Sequence, residues 1–354
     1  MPFDLEATTR PNIRKLIPYS SARDEFKGSA SIYLDANENS LGSPLTKWYN
    51  RYPDPLQMAV KEKISAIKAI PVQNIFLGNG SDEAIDILFR AFCEPGMDNV
   101  IVCPPTYGMY EVSANINNVA VKKVSLSADF QLNLEALEEA IDLNTRIIWL
   151  CSPNNPTGNS LHRPDIEMIL NNFDGIVVID EAYINFSRQR SFIPELKEYP
   201  NLVILQTLSK AWGLAALRIG MAFASEGIIG IMNRIKPPYN ISQAAQELAL
   251  QALDHVEEVN EMIKILVEER GKLSTALLQL PVVIKIYPSD ANFLLVKTRE
   301  ASRLYDYLAE NGTVVRNRSN VTLCEDCLRI TVGTPAENIT LVKQLEEFAR
   351  TAPR

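Results

Sequence analysis

The sequence predicts an α/β protein: a large unit with a mainly parallel sheet flanked by helices, then a smaller α+β unit toward the C-terminal end. Three observations predict it. Between residue 75 and about residue 224, apolar runs alternate with helical patterns. Those runs, such as RIIWLC (146–151) and GIVVI (175–179), are continuous rather than alternating, which marks strands buried on both faces of a parallel sheet. At KPPYNIS (236–242) two prolines interrupt the pattern, and a different one follows.

Residues 1–30 have weak periodicity and read as an N-terminal arm. Residues 56–69 (LQMAVKEKISAIKA) carry apolar residues at helical spacing. The large unit then takes strands at Asn99–Cys103, Ala120–Val124, Arg146–Cys151, Gly175–Ile179, Leu202–Gln206 and Ile219–Ala224. Helices are expected at Asp82–Phe92, Leu134–Ile141 and Pro164–Asn172. From 242 to 280 the pattern is helical and unbroken until Pro281; a helix that long bridges parts of a protein or kinks. Short strands at Asn292–Lys297, Val314–Arg316 and Leu328–Val332 and helices at Ala301–Glu310 and Ala336–Arg350 complete the smaller unit. The expected division is an arm over 1–30, a large unit over 31–240 and a small unit over 241–354.

Composition excludes several classes of function. The 354 residues carry a net charge of −8, which offers no basic field to hold DNA or RNA, though a local phosphate site is compatible with it. No apolar run approaches the ~18 residues of a membrane span. The start, MPFDLEATTR, is acidic and lacks the apolar stretch of a secretory signal, so a cytoplasmic protein is expected. Five cysteines in a chain this long do not form a disulfide framework. Cys324 and Cys327 make a C-x-x-C without a second pair, and read as reduced thiols near a strand rather than half a zinc site or a redox pair. Two histidines, His162 and His255, leave little room for a serine–histidine triad, and no metal is expected.

Ligands of open α/β sheets bind beyond the carboxyl ends of the strands, so polar residues just after each strand are the candidates. GNGSDE (78–83) opens a helix whose free N–H groups suit an anion; a glycine turn with a cap would look the same. PPTYGMY (104–110) holds Tyr107 where its ring could stack on a planar ligand or simply pack. SPNNPTGN (152–159) presents the Asn155 amide, or is only a turn. GIVVIDEAY (175–183) runs an apolar strand into Asp180, with Tyr183 three residues on. An acid there is costly unless a cation pairs with it or it caps the next turn. TLSKAWGLAALRIG (207–220) ends a strand in Thr207-Leu208-Ser209-Lys210, with Arg218 eight residues beyond the lysine. Among small and apolar neighbours a lysine shifts toward the neutral amine that a Schiff-base nucleophile requires.

Each segment alone is weak; together they ask for one cofactor. Pyridoxal 5′-phosphate has a dianionic phosphate, a flat ring, a phenolic oxygen, a ring nitrogen that must stay protonated and an aldehyde that condenses with lysine.

On these segments, together with IPYSSAR (17–23), LDANEN (34–39), RYPDP (51–55) and LRITVGT (328–334), the chain resembles the fold-type I pyridoxal-phosphate aminotransferases, class II subfamily. Among them it is most similar to the histidinol-phosphate aminotransferase family. NNPTG, DEAY and SK with the later arginine carry the superfamily; PPTYGMY and LRITVG point to the narrower family. The resemblance implies that Lys210, Asp180 and Tyr183 are catalytic: Lys210 condenses with the aldehyde and moves the α-proton, and Asp180 pairs with the ring nitrogen. It implies that Asn155 and Tyr183 meet the phenolic oxygen and that Tyr107 stacks on the ring. Ser81, Asp82, Glu83, Thr207, Ser209 and Arg218 complete the cofactor's contacts, several of them at the phosphate. Tyr52 would reach that phosphate from the partner subunit, making a homodimer with shared active sites. Arg329 and Arg316 would bind the substrate's acidic groups, with Arg318 an alternative to Arg316, and Tyr19 and Asn37 would cover the substrate. The implied reaction moves an amino group between L-glutamate and imidazole-acetol phosphate, giving L-histidinol phosphate and 2-oxoglutarate. A threonine-phosphate decarboxylase-like lyase and an aromatic aminotransferase of the same fold are the alternatives.

Overall fold

The computed structural model of the chain describes residues 3–19, 31–47 and 49–351. The arm expected over 1–30 is therefore described only at 3–19, and IPYSSAR beyond Tyr19 lies outside the described residues.

Seven strands form the large sheet: β1 (Ile75–Asn79), β2 (Asn99–Val102), β3 (Ala120–Lys123), β4 (Thr145–Cys151), β5 (Ile176–Asp180), β6 (Leu202–Thr207) and β7 (Ile219–Ala224). Their spatial order is β1-β7-β6-β5-β4-β2-β3. β3, β2, β4, β5 and β6 are mutually parallel, while β7 runs against both β6 and β1. The sheet is thus mainly parallel, as the continuous apolar runs imply.

Those runs are continuous because each strand feeds two cores. In β5, Val177 and Ile179 join the apolar layer on one face, and Ile176 and Val178 the layer on the other. All four are fully buried, so neither face has room for a polar residue until the strand ends at Asp180. β3 lies at the sheet's edge and carries Lys122 and Lys123, a composition that discourages pairing with another chain.

The smaller sheet has four antiparallel strands, β8 (Val283–Ile286), β9 (Phe293–Thr298), β10 (Arg316–Asn317) and β11 (Cys327–Thr331), in the order β10-β11-β9-β8. Helices Ala301–Glu310 and Pro335–Thr351 contribute Leu304, Leu308, Leu341 and Leu345 to its core.

Several elements depart from the sequence expectation. β1 and β8 and the helices Met109–Ile116 and Glu226–Ile235 were not anticipated. The helix expected over 242–280 is two helices, Gln243–Ala252 and Val256–Leu278. Leu253 is buried in the large unit's core and Asp254 pairs with Lys63, so side-chain anchoring turns the chain where no proline or glycine marks a stop. Ile241, Ala249 and Val259 join the same core as Leu253, whereas Leu273 and Leu277 pack in the small unit's core.

Candidate active site

β2, β4, β5 and β6 end on one edge of the large sheet, and β1 ends on the same edge because it runs parallel to β6 across β7. A cavity of about 660 Å³ opens there. Its floor and near wall carry Ser81, Asp82, Tyr107, Asn155, Asp180, Tyr183, Thr207, Ser209, Lys210 and Arg218. The small sheet and the loop after β10 supply Arg316, Arg318, Val321 and Arg329. Chain segments 249 residues apart at their extremes, 80–82 and 316–329, therefore share one space.

The anion-suited end is built by close backbone approach. Helix Gly80–Phe92 begins at the cavity, and its Gly80 N–H donates to the Arg218 carbonyl at 2.8 Å. A Cβ on Gly220 would come within 2.1 Å of the Ser81 nitrogen, so only glycine lets β7 pass the helix start. Arg218 takes a left-handed backbone conformation (φ +57°) that turns its guanidinium toward Asp82, at 3.4 Å. The Thr207 hydroxyl accepts from the Ser209 N–H at 3.0 Å, which shapes the turn that presents Lys210.

Asp180 is almost fully buried, and among the described residues no ion pair neutralises it. Its Oδ2 accepts from the Tyr110 hydroxyl at 2.7 Å and its Oδ1 from the Ala182 N–H at 3.0 Å. Burial pushes its carboxyl above the usual range, opposed by these two hydrogen bonds. Lys210 is open to the cavity, with Nζ 5.6 Å from the centre of the Tyr183 ring. The surrounding walls still hold its ammonium below the usual lysine range; burial is the main cause, the positive Arg329 adds to it, and Asp180 opposes it. Burial likewise pushes the phenols of Tyr183 and Tyr107 upward, with Cys151 reinforcing it for Tyr183 and Asp82 for Tyr107.

Tyr107 donates to Asp82 at 3.0 Å and meets Tyr110 edge-on, with ring centroids 5.6 Å apart. Asn155 is buried, and its amide oxygen accepts from Arg329. Arg316 and Arg329 are paired across β10 and β11, which puts both side chains at the same place along the small sheet. Arg318 follows two residues later, and its Nε is buried with no hydrogen-bond partner. Burial and the two neighbouring arginines lower the Arg318 pKa from its ordinary value.

Four of the residues that the sequence suggests lie elsewhere. Glu83 does not line the cavity: its carboxylate accepts from the Asn79 N–H and, at 3.0 Å, from the Asn240 side chain, so it caps its own helix. Capping is what an acid at the start of a helix does when its rotamer turns back toward the orphan N–H groups. Tyr52 stacks on Tyr239 with centroids 4.5 Å apart and is half exposed; Tyr19 and Asn37 are exposed. Sequence reasoning passed over Tyr110, three residues after Tyr107 in PPTYGMY, and Cys151, the last residue of β4. The phrase that yielded Tyr107 held Tyr110 as well, but nothing in it showed a hydroxyl aimed at Asp180. All five cysteines are buried and unbridged, and burial pushes Cys103 and Cys324 up to about 12. Among the described residues no group of His, Cys, Asp and Glu is placed to hold a metal ion, and no helix is long and apolar enough to cross a membrane.

A lysine and a buried acid on one wall of a crevice, with an anion cradle at its end, define a class of enzyme. The family description that matches residues 24–345 is "Aminotransferase class I and II", and the chain belongs to that family. Within it, the chain groups with the histidinol-phosphate aminotransferases. The one from Cytophaga hutchinsonii is 52% identical over 348 residues, spanning 98% of this chain and all of the relative. The one from Parabacteroides distasonis is 54% identical over 345 residues, spanning 98% and 99%. Among solved structures, histidinol-phosphate aminotransferase from Clostridium acetobutylicum superposes with a TM-score of 0.79 over 86% of this chain and 92% of its own, at 22% identity. L-Threonine-O-3-phosphate decarboxylase from Porphyromonas gingivalis reaches a TM-score of 0.73 over 86% and 92%, at 26% identity.

Proposed function

We propose that this enzyme transfers an amino group between L-glutamate and imidazole-acetol phosphate, forming L-histidinol phosphate and 2-oxoglutarate in histidine biosynthesis, with pyridoxal 5′-phosphate as cofactor. The observation that carries the reading is the union in one cavity of Lys210, a buried Asp180 with no ion-pair partner among the described residues, and three arginines. The donor set fits the cofactor. A buried carboxylate suits a protonated ring nitrogen, the start of helix Gly80–Phe92 with Ser209 and Arg218 suits a phosphate, and Tyr107 offers a ring face. When bound, the cofactor supplies an electron sink for the carbanion left by loss of the α-proton.

The protein's own residues do the rest. Asp180 holds a positive charge at the ring nitrogen. Asn155 and Tyr183 orient the phenolic edge. Lys210 Nζ, already held below the usual ammonium range, takes the proton from the substrate's α-carbon and returns it. Arg329 and Arg316 hold the carboxylate of glutamate and the phosphate of the second substrate in turn, since a guanidinium fork fits both anions. Arg318, with its unpartnered Nε, competes with Arg316 for the phosphate.

The proposed assembly is a homodimer, each Tyr52 reaching the cofactor phosphate in the other subunit, with Tyr19 and Asn37 near the substrate. Supporting it, exposed apolar side chains concentrate in one stretch: Ile32, Leu34, Leu41, Leu45, Tyr52 and Met58. The proposed location is the cytoplasm, in keeping with five unbridged thiols. The division into an arm, a large unit and a small unit, with boundaries near 30 and 240, is retained as part of the proposal.

A spectral titration with L-histidinol phosphate, L-threonine phosphate and L-phenylalanine tests the reading. L-Histidinol phosphate should convert the cofactor to its amine form at the lowest concentration. Carbon dioxide release from L-threonine phosphate would instead assign the lyase, and preference for L-phenylalanine the aromatic aminotransferase.

A further inference from the structure

Asp180 must stay ionised in a place that penalises ionisation, and one hydroxyl addresses it. Tyr110 is completely buried, the second residue of helix Met109–Ile116. Its ring lies flat on Trp149, with centroids 4.9 Å apart and planes 15° apart, and Trp149 in turn stacks on Phe89. This aromatic stack seats the ring with its phenol oxygen 2.7 Å from Asp180 Oδ2. Asp180 Oδ1 is already taken by the Ala182 N–H, so the two donors hold the two oxygens separately and fix the plane of the carboxylate.

We propose that Tyr110 is a positioning residue of the reaction, its hydroxyl holding Asp180 as an oriented anion so that the proton shared with the cofactor resides on the ring nitrogen rather than on the carboxylate. The proposal rests on the cofactor reading above. A donated hydrogen bond makes the carboxylate a weaker base. Without it, Asp180 competes better for the proton and the ring loses the charge that makes it an electron sink. The edge contact with Tyr107 extends the arrangement: the ring assigned to stack on the cofactor rests against the ring that orients its counter-ion. Burial holds the Tyr110 phenol well above its ordinary pKa, so it remains a donor at any working pH.

Two variants of the holoenzyme test it: Tyr110→Phe, which keeps the ring on Trp149, and 3-fluorotyrosine at position 110, which keeps the hydroxyl and makes it a stronger donor. The readouts are the pH midpoint of the bound cofactor's visible absorbance, the cofactor dissociation constant of the apoprotein, and kcat and KM for glutamate. Tyr110→Phe should raise the absorbance midpoint by about one unit and lower kcat about tenfold, with KM within about twofold, since one hydrogen bond to a charged group is at stake. It should also weaken cofactor binding. The fluorinated residue should move the midpoint the other way. If Tyr110→Phe lowers only the melting temperature and leaves the midpoint and kcat of the parent, or if both variants shift the midpoint alike, the proposal is overturned. Because glutamate is the donor throughout, that failure is separate from a failure of the parent enzyme to accept L-histidinol phosphate.

Discussion

The two walls of the cavity handle charge in opposite ways. On the large sheet every acid that faces the cavity has a partner within the same wall: Tyr110 and Ala182 hold Asp180, and Tyr107 and Arg218 hold Asp82. On the small sheet Arg316, Arg318 and Arg329 converge with no carboxylate beside them among the described residues, and their mutual repulsion adds to burial in lowering the pKa of Arg318. A wall whose groups restrain one another suits a guest that stays. A wall of like charges is at its most favourable only when an anion arrives, and it can exchange a carboxylate for a phosphate without being rebuilt. The contrast supports the proposal that the cofactor's permanent contacts come from the large sheet and the substrates' alternating ones from the small sheet.

The sharpest break of this contrast lies in the large-sheet wall. Lys210→Ala should lower turnover with both substrates by about four orders of magnitude or more, because the proposed mechanism uses the same nitrogen as nucleophile and base. Steady-state assays with each substrate check this, and an alanine variant that still turns over would dismiss the assignment. Asp180→Ala should follow, slowing α-proton abstraction by roughly three orders of magnitude and weakening cofactor binding, as loss of a buried, preorganised charge does. Single-turnover rates with α-deuterated glutamate isolate that step. An unchanged rate constant would leave Asp180 a structural acid.

On the arginine wall the effects should be smaller and selective. Arg316→Ala should lower kcat/KM for L-histidinol phosphate about thirtyfold and for glutamate by no more than about threefold, in line with the loss of one charged hydrogen-bonded contact. The same pair of assays on Arg318→Ala decides which of the two arginines serves the phosphate. Equal losses with both substrates for both variants would mean that the wall does not discriminate, and the contrast with the large sheet would lose half its content.

The sequence was most readable where one local rule dominates. β4, β5 and β6 are continuous apolar runs because both faces of the sheet are covered, and each ends in the polar residue that the cavity uses: Cys151 leads to Asn155, Ile179 to Asp180, and Gln206 to Thr207 and Lys210. Readability failed where tertiary packing decides. β1 is five residues long and has no alternation to mark it. The 242–280 helix turns at Leu253 because of an apolar anchor and an ion pair with Lys63, neither of them local. Glu83 could face either the cavity or Asn79, and only a rotamer separates the two. The pairing of Tyr110 with Asp180 spans 70 residues and two elements, so no motif could disclose it.

The finest test asks whether the two walls are electrically joined. Lys210 sits below the usual lysine range chiefly through burial, next through the positive Arg329, and Asp180 opposes both. Arg329→Met keeps most of the packed volume and removes the charge. In the apoprotein the Lys210 titration should then move up, because the cation that disfavoured a second one is gone. Asp180→Asn should move it down, because the anion that favoured the ammonium is gone. The rate of reconstitution with pyridoxal 5′-phosphate depends on the free amine, so its pH profile reports both shifts. At a pH below the midpoint, Arg329→Met should reconstitute more slowly than the parent and Asp180→Asn should carry the larger amine fraction. Should Arg329→Met leave the midpoint where it was, the arginine wall would act on substrates alone, and the depressed lysine would belong entirely to the large sheet.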